Sequence, residues 1–372
     1  MSGAESGAES GAELASQLKA GDRRALAQAI TLAESTRAEH RRRVEALLTQ
    51  LLPSTGGSHR VAVTGPPGAG KSTLLDALGA VALEAHRSVA VLAVDPASAI
   101  TGGSLLGDAV RMQRLSASDK VFLRASSNAG SLGGTAPGTR EAVLLCEAAG
   151  FDFVLIETVG VGQAEQTVRD QCDTLVMLSL AGAGDEVQGM KRGLLEVADA
   201  VLVNKADGEG ETAARAFAMD LSAALTLLRP GATPYVSAVS ARSERGVVEL
   251  FDWLGERENR LRHDGELQRL RTEQLKRAFR SALARELSAG AAVDPRTVRQ
   301  LLLAVDEQAI VVVGLGRDGA TALERLRRYG TGLTADDDRD LTRHANFPRS
   351  FLLSHRVKLS QAQRRPVYRG LA

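Results

Sequence analysis

The hydrophobic positions fall into three zones of different period. From residue 12 to 52 they recur at helical spacing: Leu14, Leu18, Leu26, Ile30 and Leu32, with Gly21-Asp22 as a break, then Val44, Leu47, Leu48 and Leu51. Pro53-Ser-Thr-Gly-Gly57 reads as a linker out of this helical zone. Short runs rich in Val, Leu and Ile follow at 61–64, 88–94, 121–123, 153–156, 174–180 and 200–203, with helical patterns between most of them. Strands that lack polar alternation are buried on both faces. The expected fold is therefore α/β, with a mostly parallel central sheet flanked by helices and with helical N- and C-terminal extensions. Helical spacing returns over 246–288 through Leu250, Phe251, Leu254, Leu267, Leu270, Leu275, Phe279 and Leu283. Beyond it, Ile310-Val-Val-Val313 suits one more strand, and the Arg-rich stretch from Thr331 is weakly patterned.

Composition narrows this picture little. A net charge of +1 over 372 residues gives no global reason to expect nucleic acid or an anionic membrane as partner. No apolar run reaches the roughly 20 residues that span a bilayer. The repeated Ser-Gly-Ala-Glu unit at the start is polar and acidic, so residues 1–12 read as a disordered leader rather than a targeting peptide. Cys146 and Cys172 sit in apolar surroundings and read as buried free thiols, which suits a reducing compartment, most simply the cytoplasm.

Chemistry enters at Arg60-Val-Ala-Val-Thr64, which runs straight into Gly65, Pro66, Pro67, Gly68, Ala69, Gly70, Lys71, Ser72 and Thr73. An apolar strand, a G-x-x-x-x-G-K-S loop and an immediate helical pattern are the order that a phosphate-binding P-loop needs. The glycines let successive N–H groups point at one phosphate cluster, and the helix N-terminus adds partial positive charge. Lys71 is expected on the β- and γ-phosphates and the Ser72 hydroxyl on Mg²⁺.

The base is named further along. Asn204-Lys205-Ala-Asp207 follows the apolar run Val201-Leu-Val203, and an Asp there accepts from guanine N1–H and the 2-amino group together. Lys205 would lie along the base plane, and Asn204 would tie the loop and purine N7. Ser240, Ala241 and Arg242 follow a short strand, with a backbone N–H of Ser240-Ala241 expected on guanine O6. The nucleotide is therefore expected to be GTP or GDP. Asp95, Asp108 and Glu157 sit at or just beyond strand ends where Mg²⁺ would be held. Glu157-Thr-Val-Gly160 stands where many GTPases have Asp-x-x-Gly. The glycine-rich stretch Ala181–Gly193 carries Lys191 and Arg192, and reads either as a plain connection or as a switch that brings Lys191 to the phosphates when a partner docks. No resident arginine finger is evident, so transition-state charge is expected from a mobile segment or from outside.

A series of motifs now forms: V-D-P-x-S at 94–98, T-G-G-S-x-L-G-D at 101–108, S-L-G-G at 131–134, E-T-V-G-V-G-Q at 157–163, G-A-G-D-E-x-Q-G-x-K at 182–191 and N-K-A-D at 204–207. Together they resemble the MeaB/ArgK family of P-loop GTPases over roughly Glu13 to Leu283. The resemblance implies a GTP-hydrolysing chaperone that gates adenosylcobalamin loading into methylmalonyl-CoA mutase or a related acyl-CoA mutase, and that protects or reactivates it. It implies phosphate contacts at 65–73, a Mg²⁺ and switch region at Asp95, Asp108 and Glu157, and Lys191 in a mutase-responsive switch. A homodimer through C-terminal helices and, further out, a cobalamin adenosyltransferase as partner also follow from it. The expected organisation is a leader at 1–12, a helical segment at 13–56, the GTPase domain at 57–262, a C-terminal helical and dimerisation region at 263–330 and a tail at 331–372. Ala99-Ile100 departs from the polar pair expected before Thr101, and the tail beyond about Gly290 does not align. A P-loop phosphotransferase is the alternative, and a module that keeps GTP as a structural ligand is a third. Gly314-Leu-Gly-Arg-Asp-Gly319 matches G-x-G-x-x-G but lacks the second strand of a dinucleotide site. The six histidines have no metal-ligand spacing.

Overall fold

The computed structural model describes residues 2–95, 112–116, 118–127, 138–158, 165–182 and 192–288. The chain divides into a unit at Met1–Leu326 and another at Arg327–Ala372, and every described residue belongs to the first. The possible strand at 310–313 and the tail lie outside the described residues.

Seven strands form one sheet: β1 (His59–Thr64), β2 (Val89–Asp95), β3 (Val121–Ser127), β4 (Phe153–Glu157), β5 (Thr174–Leu180), β6 (Ala200–Asn204) and β7 (Tyr235–Ala238). Their order is β3-β2-β4-β1-β5-β6-β7 and every pairing is parallel. Parallel neighbours need crossovers, which helices provide. The first six helices are α1 (Ser2–Lys19), α2 (Arg23–Glu34), α3 (Ala38–Leu51), α4 (Lys71–Glu84), α5 (Gln113–Ser116) and α6 (Thr139–Ala148). They are followed by α7 (Glu165–Arg169), α8 (Arg192–Val197), α9 (Glu211–Leu228), α10 (Val247–His263) and α11 (Glu266–Ser288). None of the described helices is long and apolar enough to cross a membrane.

Strand side chains alternate between the two faces. Ala62, Ala90, Leu92, Val154 and Ile156 meet Leu26 and Ile30 of α2, Leu47, Leu48 and Leu51 of α3, and Leu145 of α6. Val61, Val63, Val89, Val91, Phe153 and Leu155 meet Leu74, Leu75 and Leu78 of α4 and Leu250 and Leu254 of α10. A smaller cluster joins β6 to Ala214, Leu221 and Leu225 of α9. The N-terminal helices are thus one of the two layers covering the sheet. The Gly21-Asp22 break is a cap: Gly21 has φ 80°, and Asp22 Oδ1 accepts from the amides of Arg24 (2.7 Å) and Ala25 (3.1 Å).

Over the stretch expected as a leader at 1–12, α1 begins at Ser2. Ala and Glu are strong helix formers, and the four-residue repeat sets Glu5, Glu9 and Glu13 one turn apart. Leu14, Ala15 and Leu18 are buried and anchor the helix from its other end.

Charge is buried where the strands begin. The Glu147 carboxylate accepts from Arg60 Nε (2.9 Å) and Nη2 (2.8 Å), Ser58 Oγ (2.5 Å) and the Gly56 amide (2.9 Å). Arg271 of α11 forks onto Asp173 at 2.8 and 2.6 Å, and donates to the carbonyls of Gly56 and Ser58. Burial would raise both carboxyls, yet Arg60 at Glu147 and Arg271 at Asp173, with their hydrogen bonds, hold them below the usual range. Three and six residues after Arg271, Gln274 donates to the carbonyls of Arg169 and Cys172, and Arg277 to Asp170. The boundaries expected at 56/57 and 262/263 therefore fall inside one compact unit. His59 lies in the same layer, Nε2 2.9 Å from Thr174 Oγ1 and Nδ1 3.5 Å from Glu258. Burial pushes its pKa down to about 4 against the pull of Glu258 and Asp173, so the imidazole is neutral at pH 7 and that contact is not an ion pair there. Cys146 and Cys172 are buried and unpaired; burial pushes both thiols up, Cys172 to about 12.

Candidate nucleotide-binding site

Because all seven strands run the same way, the segments leaving their C-terminal ends open on one edge of the sheet. A ligand crevice in such sheets lies at that edge, where the strand order reverses. The motifs at 65–73, 157–160, 204–207 and 240–242 are far apart in sequence but all follow strands β1, β4, β6 or β7.

The phosphate loop is shaped by its neighbours as much as by its own flexibility. Gly65 has φ 149°, and a Cβ there would stand 2.5 Å from the Leu178 carbonyl of β5. Gly70 has φ 93° and ends the loop as the cap of α4; a Cβ there would stand 2.4 Å from Asn204 Nδ2. Gly68 is also left-handed but meets nothing within 4 Å, so its requirement is conformational alone. Ala69 is buried, Pro66 and Gly70 are half-buried, and Pro67, Gly68 and Thr73 are exposed along the rim. Lys71 Nζ donates to the carbonyls of Gly65 (3.0 Å) and Pro66 (3.2 Å), which fixes the ammonium over the loop. Burial pushes the Lys71 pKa down against the pull of Glu157. Ser72 Oγ donates to Glu157 Oε1 at 3.1 Å. A hydroxyl and a carboxylate so placed are hard oxygen donors that fit Mg²⁺. Among the described residues no group of three His, Cys, Asp or Glu side chains could hold a metal ion.

Of the other acidic candidates, Asp95 ends β2 beside Ser127 of β3, with its side chain outside the described residues. Asp108 and Lys191 lie wholly outside them, as do the T-G-G-S-x-L-G-D motif at 101–108 and most of the glycine-rich stretch.

Asn204 joins the two ends of the site. It is buried, its Nδ2 donates to the Ala69 carbonyl (2.7 Å) and its Oδ1 accepts from the Ala241 amide (3.0 Å). Its second Nδ2 hydrogen is the one that a purine N7 would use. Lys205 takes the left-handed φ of 60°, and the Ala206 amide donates to the Val239 carbonyl at 3.0 Å. Lys205 is therefore exposed, and Asp207 is half-buried at the mouth. The segment after β7 closes on itself: the Ser240 amide donates to the Arg245 carbonyl (2.9 Å), and the Ser243 amide to Ser240 Oγ (3.1 Å). The amides of Ser240 and Ala241 are thus engaged within the protein. Arg242, the next residue, is exposed. Two features were not anticipated from sequence: Leu178, whose backbone limits Gly65, and the ion pair of Glu211 with Arg245. Position alone could have flagged the pair, since both residues stand within four of a base motif.

A family model described as methylmalonyl Co-A mutase-associated GTPase MeaB matches residues 26–295. A probable GTPase of Mycobacterium tuberculosis (strain ATCC 25618 / H37Rv) is 50% identical over 260 residues, covering 69% of this chain and 77% of the relative. The methylmalonic aciduria type A homolog, mitochondrial, of Mus musculus is 42% identical over 272 residues, covering 70% and 66%. Among solved structures, a LAO/AO transport system kinase superposes with a TM-score of 0.63 at 33% identity, covering 87% of this chain and 98% of that one.

Proposed function

This chain belongs to the MeaB family of GTPases, and from that premise we propose that it is the GTP-driven chaperone of a cobalamin-dependent acyl-CoA mutase. In this reading it gates adenosylcobalamin loading into methylmalonyl-CoA mutase or a close relative, and protects or reactivates the loaded enzyme. It works in the cytoplasm as a homodimer, with a cobalamin adenosyltransferase as a candidate third member. The mutase association in the description of the matching family, and the methylmalonic aciduria name of the mouse relative, support the choice of partner.

The observation that carries the nucleotide reading is the double hydrogen bond of Asn204, which makes the phosphate loop and the base loop one piece. Lys71 exchanges the carbonyls of Gly65 and Pro66 for β- and γ-phosphate oxygens, whose negative charge offsets the cost of its burial. Ser72 and Glu157 would hold Mg²⁺, which would neutralise charge on the phosphates, and Asp95 and Asp108 are the further acidic residues proposed for it. Asp207 accepts from the guanine N1–H and 2-amino group while the Arg242 amide donates to O6. Lys191 completes the charge at the γ-phosphate when the mutase docks, so hydrolysis by the chain alone is slow.

The test is steady-state GTP hydrolysis with and without the mutase. Wild type is expected to accelerate on adding the mutase, and Lys191→Ala to keep GTP affinity within about twofold while losing most of the acceleration. Equal acceleration of both proteins would remove Lys191 from the mechanism. The kinase named in the solved structure keeps phosphotransfer as a second reading. Stoichiometric phosphate release without any acceptor would exclude it.

A further inference from the structure

The two base-facing loops leave different strands, and Asn204 is their link at the buried end. The structure supplies a second link at the exposed end. Glu211 opens α9 four residues after Asp207, and its Oε2 pairs with Arg245 Nη1. One turn on, Arg215 donates to the other carboxylate oxygen at 2.8 Å and steadies it. Arg245 is in turn bridged to the base loop, since its carbonyl accepts the Ser240 amide. The backbone of Arg245 therefore holds one loop and its side chain reaches the other. Its guanidinium is held charged by Glu211 first, and also feels the Asp207 carboxylate.

Resting on the guanine reading above, we propose that Arg245, aimed by Glu211, is a positioning residue for guanine selectivity. It fixes the spacing between the Asp207 carboxylate and the Arg242 amide, so that the 2-amino edge and O6 of one base are met together. An exposed ion pair is weak in stability terms. Here it acts on geometry, because two hydrogen bonds to one planar base tolerate little drift between their partners.

The experiment is equilibrium binding of GDP, IDP and ADP to the full chain and to Arg245→Ala, Glu211→Gln and Arg245→Lys. Hypoxanthine keeps O6 and N1–H but lacks the 2-amino group, so IDP depends less on the aim of Asp207. Arg245→Ala and Glu211→Gln are expected to weaken GDP about three- to fivefold and IDP by less than about twofold, the range an exposed ion pair permits. Arg245→Lys is expected to restore most of the GDP-over-IDP ratio. Parallel losses for GDP and IDP, or no loss of either, would overturn the proposal. A wild-type chain that takes ADP as readily as GDP would overturn the guanine reading beneath it.

Discussion

Single residues at this site are constrained by what touches them. Gly70→Ala combines a left-handed φ with a methyl group 2.4 Å from Asn204 Nδ2. Strain of that kind costs about 1–3 kcal/mol, and the displaced amide would loosen both of its hydrogen bonds. GDP affinity is expected to fall about fivefold or more on the strength of that cost, which titration calorimetry would register. Asp207→Asn replaces an acceptor-only carboxylate with an amide that puts a donor against N1–H or the 2-amino group, so the preference for GTP over ITP should collapse. Competition binding would show this, and a preserved preference would move the base pocket elsewhere. His59 governs a pH effect. It ionises near 6.5 when unfolded and near 4 when folded, so between those values the unfolded chain binds the extra proton. Stability contributed by the neutral ring is present above the unfolded value and lost as pH falls through the window, about 3 kcal/mol by linkage. Denaturation curves of His59→Gln should be flatter there than wild type, while both proteins still weaken at lower pH as Glu147 and Asp173 take up protons.

Among the elements, α11 is the one whose fastening the sequence hides most. Its apolar spacing, Leu267, Leu270 and Leu275, marks it as a helix, but its fastening is polar. Arg271, Gln274 and Arg277 look like an ordinary solvated face in sequence, and nothing in the one-dimensional pattern says that their acceptors are Asp173, Cys172 and Asp170. Long-range ion pairs leave no period to detect, which is why a boundary was expected before this helix. The strands were legible because burial on both faces erases alternation. The P-loop and Asn204–Asp207 were legible because phosphate and guanine chemistry fix residue type and spacing together. What the pattern could not show is that the amides of Ala241 and Ser240 are taken by Asn204 and Arg245. Arg271→Met should cost about 3–5 kcal/mol by stranding Asp173 in a buried place. Arg277→Ala, at the more exposed end, should cost less than about 1 kcal/mol. Urea denaturation of the two variants separates a structural strut from a loosely attached arm.

At the scale of the molecule, the sheet has a chemical polarity. Its C-terminal edge carries the nucleotide motifs, its N-terminal edge carries buried charge, and β5 with the residue just before it touches both, through Leu178 and Asp173. A chain ending at Ser288 keeps every described contact to the loops at 65–73, 204–207 and 240–246, and is expected to bind GDP within about twofold of the full chain, since contacts that remain keep their energies where sites are independent. A chain ending at Gly265 loses Arg271 and should unfold at markedly lower denaturant, although no nucleotide motif has been removed. Circular dichroism and calorimetry on the pair would check both outcomes.

The sealing of Cys146 and Cys172 also has a practical side. These are the two cysteines of the chain, and neither presents a thiolate to the solvent near neutral pH. The native protein is consequently its own blank for fluorophore attachment. Met219→Cys, on the outward side of α9 where the native side chain is 74% exposed, would give maleimide dyes a single address without first stripping the wild-type sequence of cysteine.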